Sequence, residues 1–249
     1  MKLGFSLPFA VERVEATATL ARGREVRLRF TRKVDPAGAT NSGPWLSVEP
    51  PVEGLTATVA TWDDAREVRV RGGFGLGTNY VVRVGKALRS IDGTFPGDET
   101  RWTNAFAPLL SNAWLPAYDA VQPAQGGRGL DIMTVNVPEV RVRVKSLGRH
   151  GLVPALRAYE RYRRGSIPWQ AQPVWGAPVD YAGLAGRTVK DERIDLREVP
   201  MDEARRTALG WDRLVGAGKP GVFFVELELN GLGDGGQARR LGPQALVQL

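Results

Sequence analysis

The chain has 249 residues, 43% hydrophobic and 24% charged, which is the composition of a globular protein and not of a disordered or fibrous one. It contains no cysteine and one histidine, which excludes disulfides, thiolate chemistry and cysteine-ligated metals and leaves too few imidazoles for a histidine-based metal site. The net charge of +7 is divided evenly, with 15 basic and 12 acidic residues up to residue 107 and 19 and 15 beyond it, which disfavours the clustered footprint of a nucleic-acid-binding protein.

The first part of the chain is predicted to form short β-strands separated by turns. Residues 25–30 alternate strictly between polar and apolar side chains, as on an antiparallel sheet with one buried face. The other segments with strand character are residues 11–20, 45–48, 55–62, 67–71 and 80–84. Because glycine, proline and aspartate interrupt the chain between these strands, the pattern predicts a β-sandwich of roughly 100 residues.

A second β-rich part is predicted after a boundary near residues 104–111. It opens with strands at residues 112–118, 130–137 and 140–147. In the last of these, Val140, Val142 and Val144 alternate with basic residues. The alternation predicts a strand with one buried face and one solvated face.

Helical periodicity first occurs at residues 151–164. The residues that share one face of this helix are Leu152, Leu156, Tyr159 and Arg163. A second helix is predicted at residues 201–215, with Asp202 and Glu203 in a first turn where the helix dipole favours negative charge.

The rest of the second part is predicted to be a loop and three strands. Residues 166–185, rich in proline, tryptophan and glycine, indicate an irregular loop, and strands are expected at residues 187–197, 222–229 and 245–249. The prediction is therefore a mainly all-β chain of two tandem fibronectin- or immunoglobulin-like β-sandwiches, residues 1–107 and 108–249, the second with two helical insertions.

Two glycine-rich segments resemble nucleotide-binding loops. Residues 231–236 have the spacing G-x-G-x-x-G after a strand, but no helix follows that could hold a pyrophosphate, so we interpret them as a loop joining the last two strands. Residues 72–77 lack the Gly-Lys-Ser/Thr of a phosphate loop and are interpreted as a turn between strands.

Few side chains offer catalytic or metal chemistry. His150 could act as a general base, but no G-x-S-x-G nucleophile motif occurs, so we interpret it as a solvated residue at a helix entry. The carboxylate pairs Asp63-Asp64 and Asp202-Glu203 lack the alternating spacing of a calcium loop and are interpreted as a turn and a helix start. We therefore predict no catalytic, cofactor-binding or metal site and no cofactor.

Aromatic and basic residues suggest two binding surfaces. Seven tryptophans could form a sugar-binding platform but are interpreted mainly as core: Trp45, Trp62, Trp102, Trp114, Trp169, Trp175 and Trp211. The best basic patch lies on the predicted helix beside Tyr159 and Tyr162 and comprises Arg157, Arg161, Arg163 and Arg164. A solvated face or a partner contact is favoured there over RNA.

Several soft motifs follow one another in a definite order along the chain. In the first part these motifs are residues 30–36 (FTRKVDP), 46–50 (LSVEP) and 68–93, which include the turn GGFGLGTNY. In the second part they are residues 130–144, the helix around 152–159, residues 218–227 (GKPGVFFVEL) and 244–249 (QALVQL). Their order resembles that of the bacterial alpha-2-macroglobulins. The resemblance extends over essentially the whole chain and implies two consecutive N-terminal macroglobulin-like domains.

Members of that family are large periplasmic protease traps, often lipid-anchored, in which cleavage of a bait segment triggers a change of shape. Many carry a thioester in a Cys-x-Glu-Gln motif, which this cysteine-free chain lacks, and no bait segment is evident. The resemblance implies a non-enzymatic scaffold fragment of a periplasmic inhibitor. The implied partners are neighbouring macroglobulin-like domains and, through the parent protein, host or competitor proteases. It implies no nucleic acid, and a membrane only through a lipid anchor outside this segment.

Two features agree with a segment of a longer protein. The N-terminus has one positive charge and an apolar stretch broken by Pro8, too weak for a signal peptide, and the last predicted strand ends with the chain. Two alternatives remain open from the residues: a stand-alone carbohydrate-binding or adhesion β-sandwich that uses its tryptophans, and a hydrolase that uses His150.

Overall fold

The fold is taken from a computed structural model of the chain. The structure describes residues 7–40, 43–60, 65–116, 120–123, 129–164, 177–198, 200–233 and 236–249. The chain folds as two compact units, Met1–Leu109 and Leu110–Leu249. We call them unit 1 and unit 2 and describe each by itself.

The described residues of unit 1 form seven strands and one short helix. They are β1 (Val11–Thr19), β2 (Gly23–Phe30), α1 (Pro36–Ala39), β3 (Leu46–Glu49), β4 (Thr56–Ala60), β5 (Glu67–Arg71), β6 (Asn79–Val84) and β7 (Thr100–Ala105). The strands form two antiparallel sheets, one in the order β1-β2-β5-β4 and one in the order β3-β6-β7. This is the strand order of an immunoglobulin constant-type sandwich.

The core of unit 1 lies between its two sheets. Val26, Leu28 and Phe30 on β2 are fully buried and share one hydrophobic cluster with Val82 and Val84 on β6. Because the apolar residues of β2 occupy every second position, one face of its sheet meets the core and the other carries charge. The predicted alternation at residues 25–30 is confirmed.

In the part of unit 2 that the structure describes there are also seven strands, with two helices. They are β8 (Asn112–Trp114), β9 (Gly129–Val135), β10 (Glu139–Leu147), α2 (Arg149–Arg164), β11 (Arg187–Asp195), β12 (Ala204–Gly210), α3 (Trp211–Val215), β13 (Val222–Gly233) and β14 (Gly236–Gln248). The sheets are β11-β10-β13-β14 and β12-β9-β8. The mainly β fold predicted from the sequence is confirmed in both units.

The four-stranded sheet of unit 2 is covered by apolar contacts on both faces. Phe223, Val225 and Leu227 on β13 join the main core between the sheets. Phe224, which points to the opposite face, joins a second cluster with Tyr159 and Tyr162 of α2 and with Val179, Tyr181, Leu184 and Leu246. A strand with both faces buried is almost continuously hydrophobic, which explains the composition of residues 222–229.

The helix predicted at residues 201–215 is wrong for most of its length. β12 pairs with β9 over seven residues, from Ala204 opposite Val135 to Gly210 opposite Gly129, and helix α3 begins only at Trp211. Pairing with β9 buries Leu209 in the main core, and this gain overrides the helical propensity of the segment. Asp202 therefore lies in a turn with φ 65° and not in a helix start.

The buried face predicted for the first helix is also wrong. α2 begins at Arg149, and its buried residues are Gly151, Ala155, Tyr159 and Tyr162, whereas Leu156 is 44% exposed. Small residues in the first turns let the helix backbone lie close to the chain beneath it. The predicted face shared only Tyr159 with the observed one.

The last two strands are longer than predicted. β13 and β14 pair as far as Gly233 opposite Gly236, so most of the G-x-G-x-x-G segment belongs to the ladder of a hairpin and not to a loop. The connection from β5 to β6 contains Gly77 at φ 73°, a left-handed conformation that glycine favours, and is the turn expected at residues 72–77.

Candidate functional site

A cluster of polar side chains lies on the outer face of the four-stranded sheet of unit 2, opposite the main core. We define the polar cluster as Arg143, Lys145, Tyr181, Glu226 and Gln244. The sequence predicted this basic face of β10 to be solvated, and that prediction is wrong at Lys145, which is 5% exposed. Glu226 and Gln244 on the adjacent strands are 2% and 1% exposed.

The face is buried because helix α2 and residues 177–184 lie over it. We call residues 177–184 the covering segment; it contains Val179, Tyr181 and Leu184, all buried. The insertion between β10 and β11 supplies both elements. The alternation of side chains along a strand shows that the two faces of the sheet differ in polarity. It does not show whether a segment distant in sequence covers either face.

Lys145 holds the covering segment by its backbone. The ammonium Nζ donates hydrogen bonds to the carbonyl oxygens of Tyr181 at 2.5 Å and Leu184 at 2.9 Å. It also lies 4.5 Å from the centroid of the Tyr181 ring, within the range of a cation–π contact. A lysine is almost never this buried unless its charge is satisfied, and these carbonyls and the aromatic face satisfy it.

Gln244 forms a pair of hydrogen bonds with the backbone of the covering segment, in the pattern that a neighbouring β-strand would make. Its side-chain carbonyl accepts from the backbone N–H of Val179 at 2.8 Å, and its amide Nε2 donates to the backbone carbonyl of Val179 at 2.8 Å. The same amide donates to Glu226 at 2.8 Å, and the backbone N–H of Gln244 donates to the hydroxyl of Tyr162 at 3.0 Å. One side chain therefore links β13, β14 and the covering segment, while its backbone contacts α2.

Glu226 supplies the negative charge of the cluster. Arg143 donates to its second oxygen, and the Arg143 guanidinium also lies 4.6 Å from the centroid of the Tyr181 ring. Burial raises the pKa of Tyr181 and of Tyr162, so both phenols stay protonated at neutral pH. The buried carboxylate of Glu226 thus accepts one hydrogen bond from a cation, Arg143, and one from the amide of Gln244, which compensate for its burial.

This arrangement is closed and does not form an open reaction centre. The donors and acceptors of Lys145, Glu226 and Gln244 that are named above are directed at one another and at backbone groups. Among the residues that the structure describes, no three histidines, aspartates or glutamates are grouped as metal ligands. The chemistry of the polar cluster is therefore that of a fastening between the sheet and its cover.

Unit 1 carries a different charged face on its four-stranded sheet. Glu25 on β2 is 2% exposed and accepts hydrogen bonds from Arg27 at 2.9 Å and Arg71 at 2.9 Å. Burial by itself would raise the pKa of Glu25, but the two guanidinium groups outweigh it and hold the pKa below its ordinary value. Here neighbouring charged side chains help to cover one another.

The structure separates the candidate residues that the sequence singled out. His150 is exposed in the first turn of α2 and makes no hydrogen bond to a serine or a carboxylate within the described ranges. Asp202 pairs with Asn136, which donates to its carboxylate at 2.7 Å and accepts from its backbone N–H at 2.7 Å. Asp63 and Asp64 lie outside the described residues.

The described tryptophans do not form a platform. Trp45 and Trp211 are 2% and 0% exposed and belong to the cores of unit 1 and unit 2 respectively, while Trp102 packs against the unit 1 core. Trp114 on β8 is half-buried. The others, Trp62, Trp169 and Trp175, lie outside the described residues.

The basic patch of α2 is exposed, but its tyrosines are not part of it. The four arginines predicted for the patch are all exposed: Arg157, Arg161, Arg163 and Arg164. Tyr159 and Tyr162 instead face the sheet, at 8% and 2% exposure.

Among the described residues, no helix combines the length and apolar character of a membrane span.

Sequence reasoning missed Lys145, Glu226 and Gln244 as a set. One signal was present: Glu226 interrupts the most hydrophobic stretch of the chain, residues 222–229. A carboxylate in a strand buried on both faces needs a buried partner, so this position could have indicated a polar contact. The identity of the partners depends on strand register and on the cover, which no local pattern contains.

Comparison of the sequence with protein-family models finds no match, and comparison with the curated proteins also finds none. Solved structures do match. A crystal structure of native alpha-2-macroglobulin from Escherichia coli, spanning domains MG0-NIE-MG1, matches 97% of this chain and 71% of its own with a TM-score of 0.50 and 15% identity.

Two structures of Salmonella alpha-2-macroglobulin match 98% of this chain. The protein reacted with methylamine gives a TM-score of 0.54 and a mutant gives 0.51, each at 14% identity. This chain spans 17% of those longer chains. The fold is that of tandem β-sandwich domains, and the structures it resembles are bacterial alpha-2-macroglobulins.

Proposed function

We propose that this chain belongs to the bacterial alpha-2-macroglobulin family and serves as a non-catalytic scaffold of a protease inhibitor. The observation that carries the proposal is the match to the E. coli and Salmonella structures over 97% and 98% of the chain, which includes both units. The order of sequence motifs in both parts supports the same family.

The polar cluster fits a scaffold role. Lys145 and Gln244 fasten the covering segment by its backbone, with hydrogen bonds of 2.5 to 2.9 Å. A rigid module in a protein that changes shape must keep its own parts together while it moves relative to others. Buried hydrogen bonds to polar and charged groups provide such rigidity. If the two partners separated inside the protein, each would lose the hydrogen bond that compensates for its removal from water.

The partners follow from the same proposal. Neighbouring macroglobulin-like domains of a longer parent chain would flank these units, and proteases would be met by the parent and not by this segment. The proposed location is the periplasm, with any lipid anchor outside this segment. The chain lacks cysteine and therefore contributes no thioester.

The proposal can be tested with the isolated chain and the complete product of its gene. Each is incubated with trypsin, and cleavage of a large protein substrate is compared with cleavage of a small peptide. A cage around a protease keeps out large substrates but admits small ones. We therefore expect the complete product to protect the large substrate far more than the peptide. The isolated chain is expected to protect neither.

Two results would contradict the proposal. If the isolated chain prevented cleavage of both substrates, it would be a direct inhibitor that occupies the protease active site. If proteases cut the complete product and it protects no substrate from any of them, the inhibitor role is ruled out. A matched control is the complete product treated first with an inactivated trypsin, which should leave protection unchanged.

A further inference from the structure

The outward face of helix α2 concentrates positive charge. The helix contains five arginines and one glutamate, a net charge of +4 out of the +7 of the whole chain. The even division of charge between the two halves conceals this, because both halves are long compared with one helix. We define the arginine face by seven of its exposed residues: Arg149, Val153, Leu156, Arg157, Glu160, Arg161 and Arg164.

Ion pairing is sparser on this face than on parts of the sheets of unit 2. There, several arginines pair with a carboxylate of a neighbouring strand, as Arg141 does with Asp191 at 2.7 Å and Arg206 with Asp131. On α2, Glu160 pairs with Arg164 at 3.3 Å, whereas Arg149, Arg157 and Arg161 have no ion pair with any residue that the structure describes. The sequence that follows the helix, residues 165–176, contains no aspartate or glutamate and so cannot supply the missing charge.

The face also exposes apolar surface among its charges. Val153 is 53% exposed and Leu156 is 44% exposed, each within one helical turn of an arginine. The aromatic residues of the helix, Tyr159 and Tyr162, are buried against the sheet. Single-stranded nucleic acid is bound by stacking on exposed aromatic rings, which this face does not offer.

The opposite side of α2 fixes it to unit 2. Gly151 lies against the backbone of Ala185, and Ala155, Tyr159 and Tyr162 belong to the second hydrophobic cluster. The helix therefore presents a cationic side to solvent, while its apolar side is occupied. The exposed side of a single helix curves outward, which suits contact with a flat anionic surface better than binding of an acidic peptide in a groove.

We infer that the arginine face is a peripheral binding site for a membrane surface of anionic phospholipids. The guanidinium groups would contact headgroup phosphates, to which arginine donates two hydrogen bonds at once, while Val153 and Leu156 enter the headgroup region. Each basic residue near such a surface contributes about a fivefold gain in binding, equivalent to about 1 kcal/mol. This inference does not depend on the proposed inhibitor role.

The test is co-sedimentation of the full chain with vesicles of equal parts phosphatidylglycerol and phosphatidylcholine, compared with phosphatidylcholine alone. We expect binding to the anionic vesicles only, weakening steeply as salt is added. The variant with Arg149→Gln, Arg157→Gln and Arg161→Gln should bind about 100-fold more weakly, from about fivefold for each arginine.

A matched control removes the same charge elsewhere. Arg22→Gln, Arg101→Gln and Arg205→Gln replace exposed arginines of other elements and should retain most of the binding. Leu156→Ser should lower binding several-fold without changing its salt dependence. Circular dichroism spectra identical to that of the parent chain establish that the variants fold.

Three outcomes would overturn the inference. The first is no binding to the anionic vesicles at low salt. The second is an equal loss in the α2 variant and the control variant, which would mean that only net charge matters. The third is binding to soluble polyglutamate that survives at salt concentrations where vesicle binding is lost, which would assign the face to an acidic protein.

Discussion

Over the described residues the two units have the same number of strands, but their fourth strands belong to different sheets. In unit 1 the fourth strand, β4, pairs with β5 and lies in the sheet of β1 and β2. In unit 2 the fourth strand, β11, pairs with β10 and lies in the sheet of β13 and β14. Unit 1 is thus of the immunoglobulin constant type, and unit 2 is closer to the fibronectin arrangement.

The difference changes what covers the four-stranded sheet. In unit 1 the chain passes directly from β3 to β4 on the other sheet, and the outer face is covered by charges such as Glu25 and Arg71 that pair with each other. In unit 2 the connection from β10 to β11 carries α2 and the covering segment, which bury the outer face. The same kind of alternating strand therefore becomes a surface in one unit and an interior in the other.

Among the substitutions that test this comparison, Gly151→Ala is expected to have the largest effect on the free energy of unfolding. A Cβ at this position would overlap the carbonyl oxygen of Ala185, so α2 must move away from the sheet or the backbone near Ala185 must shift. We expect unit 2 to lose about 3 kcal/mol of its free energy of unfolding, while unit 1 is unchanged. Hydrogen exchange followed by mass spectrometry reads peptides of the two units separately.

Gly148→Ala is the matched control, because a Cβ there has nothing within 4 Å. It should leave the exchange of both units unchanged. Equal effects of the two substitutions would mean that the close approach to Ala185 does not determine the result.

The next largest effect is expected from Lys145→Met. Methionine keeps much of the side-chain volume but leaves the buried carbonyl oxygens of Tyr181 and Leu184 without a donor. The expected loss is about 2 kcal/mol, with faster hydrogen exchange in α2 and the covering segment. Arg141→Met on the same face should cost less than about 1 kcal/mol because Arg141 pairs at the surface.

A smaller effect is expected from Tyr162→Phe. Loss of the hydroxyl leaves the backbone N–H of Gln244 without its acceptor, which should cost about 1 kcal/mol at neutral pH. Burial raises the pKa of Tyr162, so unit 2 has its full stability below the ordinary phenol pKa of about 10 and loses stability as the pH rises further. Tyr162→Phe should therefore reduce the alkaline sensitivity of unit 2, measured as exchange or melting against pH.

The smallest effect at neutral pH is expected in unit 1, from Glu25→Gln, at less than about 1 kcal/mol because Arg71 and Arg27 remain partly solvated. The pKa of Glu25 is lowered, so its contribution is complete above the ordinary carboxyl pKa of about 4.3 and is lost as the pH falls through the folded-state value. The variant should flatten the acid melting curve of unit 1. A curve as steep as that of the parent chain would assign acid sensitivity to other carboxylates.

The sequence was sufficient for those parts of the fold that local patterns determine. Residues 25–30 and 140–147 alternate because one side meets a core, and both form strands within a residue or two of the predicted bounds. Residues 201–215 were predicted as a helix because their partner, β9, is distant in sequence. Propensity cannot register a stabilisation that depends on pairing with a segment some 70 residues away.

The polar cluster shows the same limit for the candidate site. Lys145 and Gln244 are ordinary polar residues on alternating strands until the covering segment is in place. Their roles depend on carbonyl oxygens of Tyr181, Leu184 and Val179, and a backbone carbonyl has no signature in the sequence. The family resemblance could predict the sandwiches but not which side chains fasten the insertion.

The position of Gln244 also sets an order of events during synthesis. The insertion between β10 and β11 leaves the ribosome well before residue 244, yet its backbone at Val179 and the hydroxyl of Tyr162 each form a hydrogen bond with Gln244 on β14. Translation at about 5–20 residues per second leaves these groups open for several seconds. Until the last strand arrives, Lys145 is the part of the fastening that is already synthesised, and Gln244 completes it only when the C-terminal strand of unit 2 is in place.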